Sequence, residues 1–174
     1  MPIRPATAED APFLTDMLRE AFDWTGQGRF TREQVRTDPA IAHHVEGWPL
    51  PGDFGVVAVE EGEAGEEPAG AAWARALPAE DPGCGFVAPD VPEIMLAVAP
   101  GHRGRGLARA LLTALVDEAA RRGVARLSLS VEDGNGVARL YREAGFTAVG
   151  RSGEADTMVL DVGRRTGGGA GAGG

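Results

Sequence analysis

Apolar positions recur along this chain with two periods, and the change from one to the other lays out its elements. Leu14, Met17, Leu18 and Ala21 fall at helical spacing, predicting an amphipathic helix from about Asp10 to Phe22. Asp10 is placed to cap it, and Pro12 fits a first helical turn but not an interior. Ile3-Arg4 begins a short strand ahead of it, and Asp23 to Arg29 reads as loop. Thr31 with Gln34 is a capping-box pair, and Asp38-Pro39 opens a further short helical segment. Phe54 to Val59 and Ala69 to Leu77 read as antiparallel strands around a Glu- and Gly-rich turn, Glu60 to Pro68.

The second half is more regular. Ala79 to Val91 is a Pro/Gly-rich loop, and Pro92 to Val98 a strand. From about Gly104 to Arg122, Ala108, Leu111, Leu112, Leu115 and Ala119 make one helical face, while Asp117–Arg121 and Glu118–Arg122 are i, i+4 pairs on another. Gly123 suits the stop. Val124 to Val131 alternates, with Leu127, Leu129 and Val131 on one side and Ser128 and Ser130 on the other. A short helix, Asn135 to Ala144, ends at Gly145, and Phe146 to Arg151 with Thr157 to Val162 makes a final hairpin. A crossover helix returns the chain in the same direction, so Ile94 to Val131 implies one parallel strand pair. The rest is antiparallel. The fold class is α/β (α+β): a mixed, mostly antiparallel sheet of about seven strands with about four helices.

At 174 residues the chain suits one domain, placed at residues 1–163. The Gly/Ala-rich tail 164–174 has too little apolar surface to order itself. A formal charge of −9 and a pI near 4.8 argue against nucleic acid as a partner. With no apolar run near the ~18 residues that span a bilayer, and no signal segment, the expectation is a cytoplasmic protein with no membrane partner. The single cysteine, Cys84, excludes an internal disulfide and gives no metal-ligand pattern, so no metal is expected. All 17 basic residues are arginine, which removes lysine as nucleophile, Schiff-base former or base.

The chemistry concentrates in Val98-Ala-Pro-Gly-His-Arg-Gly-Arg-Gly-Leu-Ala108, which joins the apolar run Ile94 to Val98 to the long helix. Backbone amides at a helix N-terminus, the helix dipole and two arginines together attract phosphate. Side chains at Gly104 or Gly106 would hold the backbone away from the anion. A dinucleotide fingerprint would need glycine where Arg109 stands, and no Gly-Lys-Ser/Thr follows. A pyrophosphate site is indicated and the reaction left open.

Downstream lies Asn135-Gly-Val-Ala-Arg-Leu-Tyr141-Arg-Glu-Ala-Gly145-Phe146. Together with Arg103-Gly-Arg-Gly-Leu-Ala108, in this order and spacing, it resembles the GNAT superfamily of acetyl-CoA-dependent N-acetyltransferases. The resemblance is tight from about Pro92 to Gly150. It implies the GNAT fold, whose two central parallel strands splay apart to admit the pantetheine arm. It also implies acetyl-CoA as co-substrate, with its pyrophosphate on Arg103, Gly104, Arg105, Gly106, Leu107 and Ala108, and its pantetheine along Leu96, Ala97 and Val98. The Ala97 N–H would face the acetyl oxygen. The acceptor would be a small-molecule or peptide amine, and a homodimer is compatible with the family.

An alkylamine of pKa ~10.4 is neutral in only about one molecule in a thousand at pH 7. A base that takes its proton, directly or through water, therefore helps. Glu93 stands where several family members place a glutamate; the other reading is a solvated residue at a strand start. The departing thiolate needs a donor, and Tyr141, in the family's tyrosine position, supplies a phenol. Val137, Leu140, Tyr141 and Ala144 also form an apolar face, so a packed core ring is the competing reading. Asn135 is a helix cap, a CoA contact, or both.

His43-His44 has a poor metal spacing and reads as surface or acceptor groove. His102 reads as exposed and Cys84 as inert. Trp24, Trp48 and Trp73 divide between acceptor pocket and core. The predicted reaction is direct acetyl transfer in a ternary complex. A non-catalytic acyl-CoA sensor of the same fold and a protein N-terminal acetyltransferase are the alternatives.

Overall fold

The computed structural model describes residues 1–163; the expectation for the tail 164–174 lies outside them. Seven strands form one sheet in the order β1-β2-β3-β4-β5-β7-β6. In chain order the elements are β1 (Ile3–Pro5), α1 (Ala11–Phe22), α2 (Arg32–Thr37), α3 (Pro39–Ala42), β2 (Phe54–Gly62), β3 (Gly65–Arg75) and β4 (Glu93–Val98). Then follow α4 (Leu107–Arg121), β5 (Arg126–Glu132), α5 (Val137–Ala144), β6 (Thr147–Ser152) and β7 (Ala155–Asp161). One parallel pair, β4 with β5, sits in an otherwise antiparallel arrangement, as the crossover predicts. Five α-helices stand where about four were expected, because Thr31 and Asp38 each cap a helix of their own. No described helix is long and apolar enough to cross a membrane.

Internal contacts divide the chain into two compact units, Met1–Arg75 with Met95–Leu115, and Ala76–Ile94 with the chain from Val116 onward. In the first unit, Leu14, Met17 and Leu18 of α1 share a core with Val57, Val59, Ala71, Trp73 and Ala97. Leu14 and Leu18 are wholly buried, each contributing roughly 2 kcal/mol of apolar transfer. Gly55 lies opposite Trp73, and a Cβ there would press on the tryptophan Cβ at 2.7 Å. The capping box forms as expected, with Thr31 N–H donating to Gln34 Oε1 at 2.8 Å and Gln34 N–H to Thr31 Oγ1 at 3.1 Å.

Three local expectations are corrected here. Asp10 does not cap α1 through its side chain; its carboxylate accepts from Thr7 N–H at 2.7 Å and from Arg4 at 2.8 and 2.9 Å. The acidic turn is much tighter than Glu60 to Pro68, since the ladder runs on to Gly62 opposite Gly65. Alternation there is polar on both faces, which hides a strand from a hydrophobicity reading. Helix α4 begins at Leu107 rather than Gly104, because Gly104 and Gly106 take positive φ of 79° and 78°.

In the second unit, Leu127, Leu129 and Val131 of β5 are buried as the alternation requires, and Ser128 is buried too. Leu127 pairs with Leu160 and Leu129 with Met158 across β5 and β7. Gly145, at φ 109°, ends α5. The edge strand β6 is exposed along its length, with Val149 58% accessible.

Candidate functional site

The loop between β4 and α4 belongs to the first unit. Gly101, Gly104 and Gly106 all have positive φ, and a Cβ at any of them would meet nothing within 4 Å. These glycines are required by backbone conformation, and the space beside them is open. The first helical bond of α4 runs from Ala110 N–H to Gly106 O at 3.2 Å. Helix geometry leaves the Leu107 and Ala108 amides ahead of it directed out of the helix end. Both guanidiniums are about half exposed. Arg103 reaches Glu20 at 2.7 Å and Val98 O at 3.3 Å, while Arg105 lies 3.6 Å from Glu60. His102 faces the same Glu60 at 3.4 Å and is part-buried rather than exposed, because the loop folds it toward β2. Positive φ, directed amides and two arginines in the loop ahead of a 15-residue helix fit a phosphate group.

Glu93, at the start of β4, lies in the second unit and is only 4% exposed. This removes the solvated-residue reading. Its Oε1 accepts the Gly85 N–H at 2.6 Å, while Oε2 has no hydrogen-bond partner among the described residues. Burial pushes the carboxyl up to about 7, with the Gly85 amide pulling the other way. Two glycines make this cover. A Cβ at Gly83 would run into Glu93 Oε2, and one at Gly85 into the Leu129 backbone.

Tyr141 lies on α5 in the same unit, 6% exposed, its ring 5.7 Å from that of Phe146 at 60°. Burial pushes the phenol well above its ordinary value, so it stays protonated at neutral pH. Asn135 accepts the Val137 N–H through Oδ1 at 3.1 Å and the Ala138 N–H through its carbonyl at 3.1 Å, an Asx turn leading into α5, whose N-cap position is Gly136 rather than Asn135.

A family model described as the acetyltransferase (GNAT) family matches residues 13–146. The chain belongs to the GNAT acetyltransferase family. Among curated relatives, streptothricin acetyltransferase of Streptomyces lavendulae is 34% identical over 160 residues, covering 84% of this chain and 80% of its own. Mycothiol acetyltransferase of Beutenbergia cavernae is 50% identical over 56 residues, 32% of this chain but only 19% of that relative's length. Among solved structures, the protein yncA of Salmonella typhimurium, determined with its cofactor acetyl-CoA, superposes with a TM-score of 0.68 at 29% identity. That match covers 93% of this chain and 94% of yncA.

Within this GNAT domain several expectations change. His43 and His44 are core residues at 7% and 1% exposure, not surface groups. Their rings meet edge to face at 4.5 Å, and burial, then His43 and Arg75, hold His44 down to about 3. The cause lies in Arg75, which is buried in an ion pair with Asp53 at 2.6 Å and donates to the carbonyls of His43 and Glu46 at 2.9 and 2.7 Å. Trp73 is core, its indole donating to His44 O at 2.9 Å, and Trp48 is buried with its indole on Thr7 O at 3.1 Å. Trp24 is part-buried, and its indole nitrogen has no hydrogen-bond partner among the described residues. Cys84 is exposed, its thiol raised by burial of the sulfur and by Glu93 and Glu132. Among the described residues no three His, Cys, Asp or Glu side chains gather as a metal-binding group. Sequence reasoning missed Gly83, Gly85 and Ser128 around the glutamate. The available signal was the spacing Gly83-Cys84-Gly85 in a loop otherwise read as mere connection.

Proposed function

We propose that the protein transfers the acetyl group of acetyl-CoA to a primary amine of a small molecule or peptide, by direct attack in a ternary complex. The observation that carries this reading is the state of Glu93: buried, anchored through one oxygen, with the other unengaged and the carboxyl near 7. A base with that affinity can take a proton at neutral pH and release it again. The relatives reported above are named for streptothricin and mycothiol, which supports a non-protein acceptor.

In this reading Glu93 accepts the ammonium proton, directly or through water, and the freed nitrogen attacks the acetyl carbon. The Ala97 N–H receives the developing oxyanion. As the C–S bond breaks, the Tyr141 hydroxyl donates a hydrogen bond to the leaving sulfur, and the second proton shed by the acylated nitrogen restores the thiol of CoA. The buried phenol is a weak acid, so hydrogen bonding comes before full proton transfer. The amides from Arg103 to Ala108 hold the pyrophosphate, and the backbone from Leu96 to Val98 pairs with pantetheine. Asn135 supports the helix that carries Tyr141.

An amine panel with acetyl-CoA, read as free thiol, tests the reaction. Amine-dependent release of CoA is expected. Tight acetyl-CoA binding with no release from any amine or peptide would leave the sensor reading instead.

A further inference from the structure

Two buried polar atoms without a hydrogen-bond partner among the described residues occur at partner positions. Ser128 is wholly buried on β5, and its Oγ has no hydrogen-bond partner among the described residues; the same is true of Glu93 Oε2. Glu93 and Ser128 are register partners across the parallel pair, locked by the Ser128 N–H on Pro92 O at 2.9 Å. Register partners on adjacent strands stand on one face of the sheet, about 4.8 Å apart along the hydrogen-bonding direction. A hydroxyl can rotate to donate, and a carboxylate accepts at both oxygens. Buried polar groups without partners are rare because each carries an unrecovered desolvation cost. Here the strap Gly83-Cys84-Gly85 closes over the glutamate, which leaves Ser128 as the neutral donor on the same face.

We propose that Ser128 is a positioning residue for Glu93: its hydroxyl, directly or through one water, donates to Oε2 and sets the orientation and proton affinity of the carboxylate. Gly85 then holds one oxygen and Ser128 the other. Of the groups facing Glu93, the strap contributes Cys84 as its titratable member and β5 contributes the uncharged Ser128. Cys84 keeps its proton at neutral pH, but its S–H is only a weak donor and the residue is exposed, so the stronger donation to the ionised carboxylate falls to the buried hydroxyl. The assignment rests on Glu93 being the base only where activity is read, and the direct titration below is independent of that.

The test compares wild type, Ser128→Ala and Ser128→Thr in two measurements. The first is the Glu93 carboxyl titration by carbon-13 NMR, assigned with Glu93→Gln. The second is the acid limb of kcat/KM from pH 5.5 to 9. Removing the donor should raise both midpoints by about one unit, lowering kcat/KM roughly tenfold below pH 6.5 while leaving acetyl-CoA affinity unchanged. Ser128→Thr, which keeps the hydroxyl, should restore both midpoints. An unchanged or lowered Glu93 midpoint in Ser128→Ala overturns the proposal, as does a Thr variant that shifts as far as Ala. If Glu93→Gln turns over like wild type, the base assignment fails, and the NMR midpoint alone still decides whether Ser128 holds the carboxylate.

Discussion

Burial moves Glu93 and Tyr141 in the same direction and thereby suits them to the opposite tasks proposed for them. Desolvation disfavours a charge, so the carboxyl rises to about 7, where it can exchange protons, and the phenol rises out of reach of ionisation, where it keeps its O–H as a donor. Tyr141→Phe removes one hydroxyl from a ring packed on Phe146, so fold and acetyl-CoA affinity should survive. Its kcat should fall about 10- to 1000-fold, with no rescue at high pH. Glu93→Gln should lose most at neutral pH and recover as pH approaches the acceptor's own pKa. Parallel kcat profiles from pH 6.5 to 9.5 check both; a deficit for Glu93→Gln that is flat across the range counts against its role as base. The sequence singled out Tyr141 from its place in the second motif and Glu93 from its place on the strand that leads into the first. The burial of Glu93 was not legible, because Pro92 before it reads as a strand start, and the cover comes from glycines eight and ten residues upstream. Small residues leave no hydrophobic signal. The histidine pair misled for the related reason that its burial follows from Arg75 on a distant strand.

Elements whose form is set locally were the easiest to read. The Thr31–Gln34 box, the Asp38-Pro39 start and the Gly145 stop each depend on neighbours within a few residues. The β2–β3 hairpin was harder, because its outer rungs pair glutamates with glutamates and show no apolar alternation. At the β4–α4 junction the structure adds a second reason for the glycines that the sequence singled out. Gly104 and Gly106 leave room beside the backbone, and their left-handed conformation also costs any residue with a Cβ about 1–2 kcal/mol. Gly106→Val should therefore lower the melting temperature modestly in the free protein while abolishing most of the stabilisation by acetyl-CoA. Thermal shift with and without acetyl-CoA reads both. A full ligand shift in Gly106→Val would take the loop out of the binding site.

Across the whole molecule, two buried groups give stability opposite pH slopes. Glu93 binds its proton more tightly folded, at about 7, than at its ordinary value of 4.5, so its contribution falls as pH rises from 4.5 to 7. His44 binds its proton less tightly folded, at about 3 against 6.5, so its contribution is complete above 6.5 and is lost as pH falls toward 3. The two slopes oppose each other between pH 4.5 and 6.5, and wild-type melting temperature should vary little there on their account. Glu93→Gln exposes the histidine slope. Its melting temperature relative to wild type should climb from pH 5 to 7 and then level, by an amount on the order of 3 kcal/mol at most. A constant difference across that range would mean that the glutamate is not buried as described.

The strap over Glu93 also carries the chain's one thiol, Cys84, exposed between two glycines, in a protein whose basic side chains are all arginine. Thiol-directed labelling therefore has a single address, beside the carboxylate. The thiol is held protonated, so attachment favours mildly alkaline buffer. A fluorophore or spin label placed there would give the molecule an optical or magnetic reporter beside the proposed base, with no engineered cysteine and no lysine side chain to compete for the reagent.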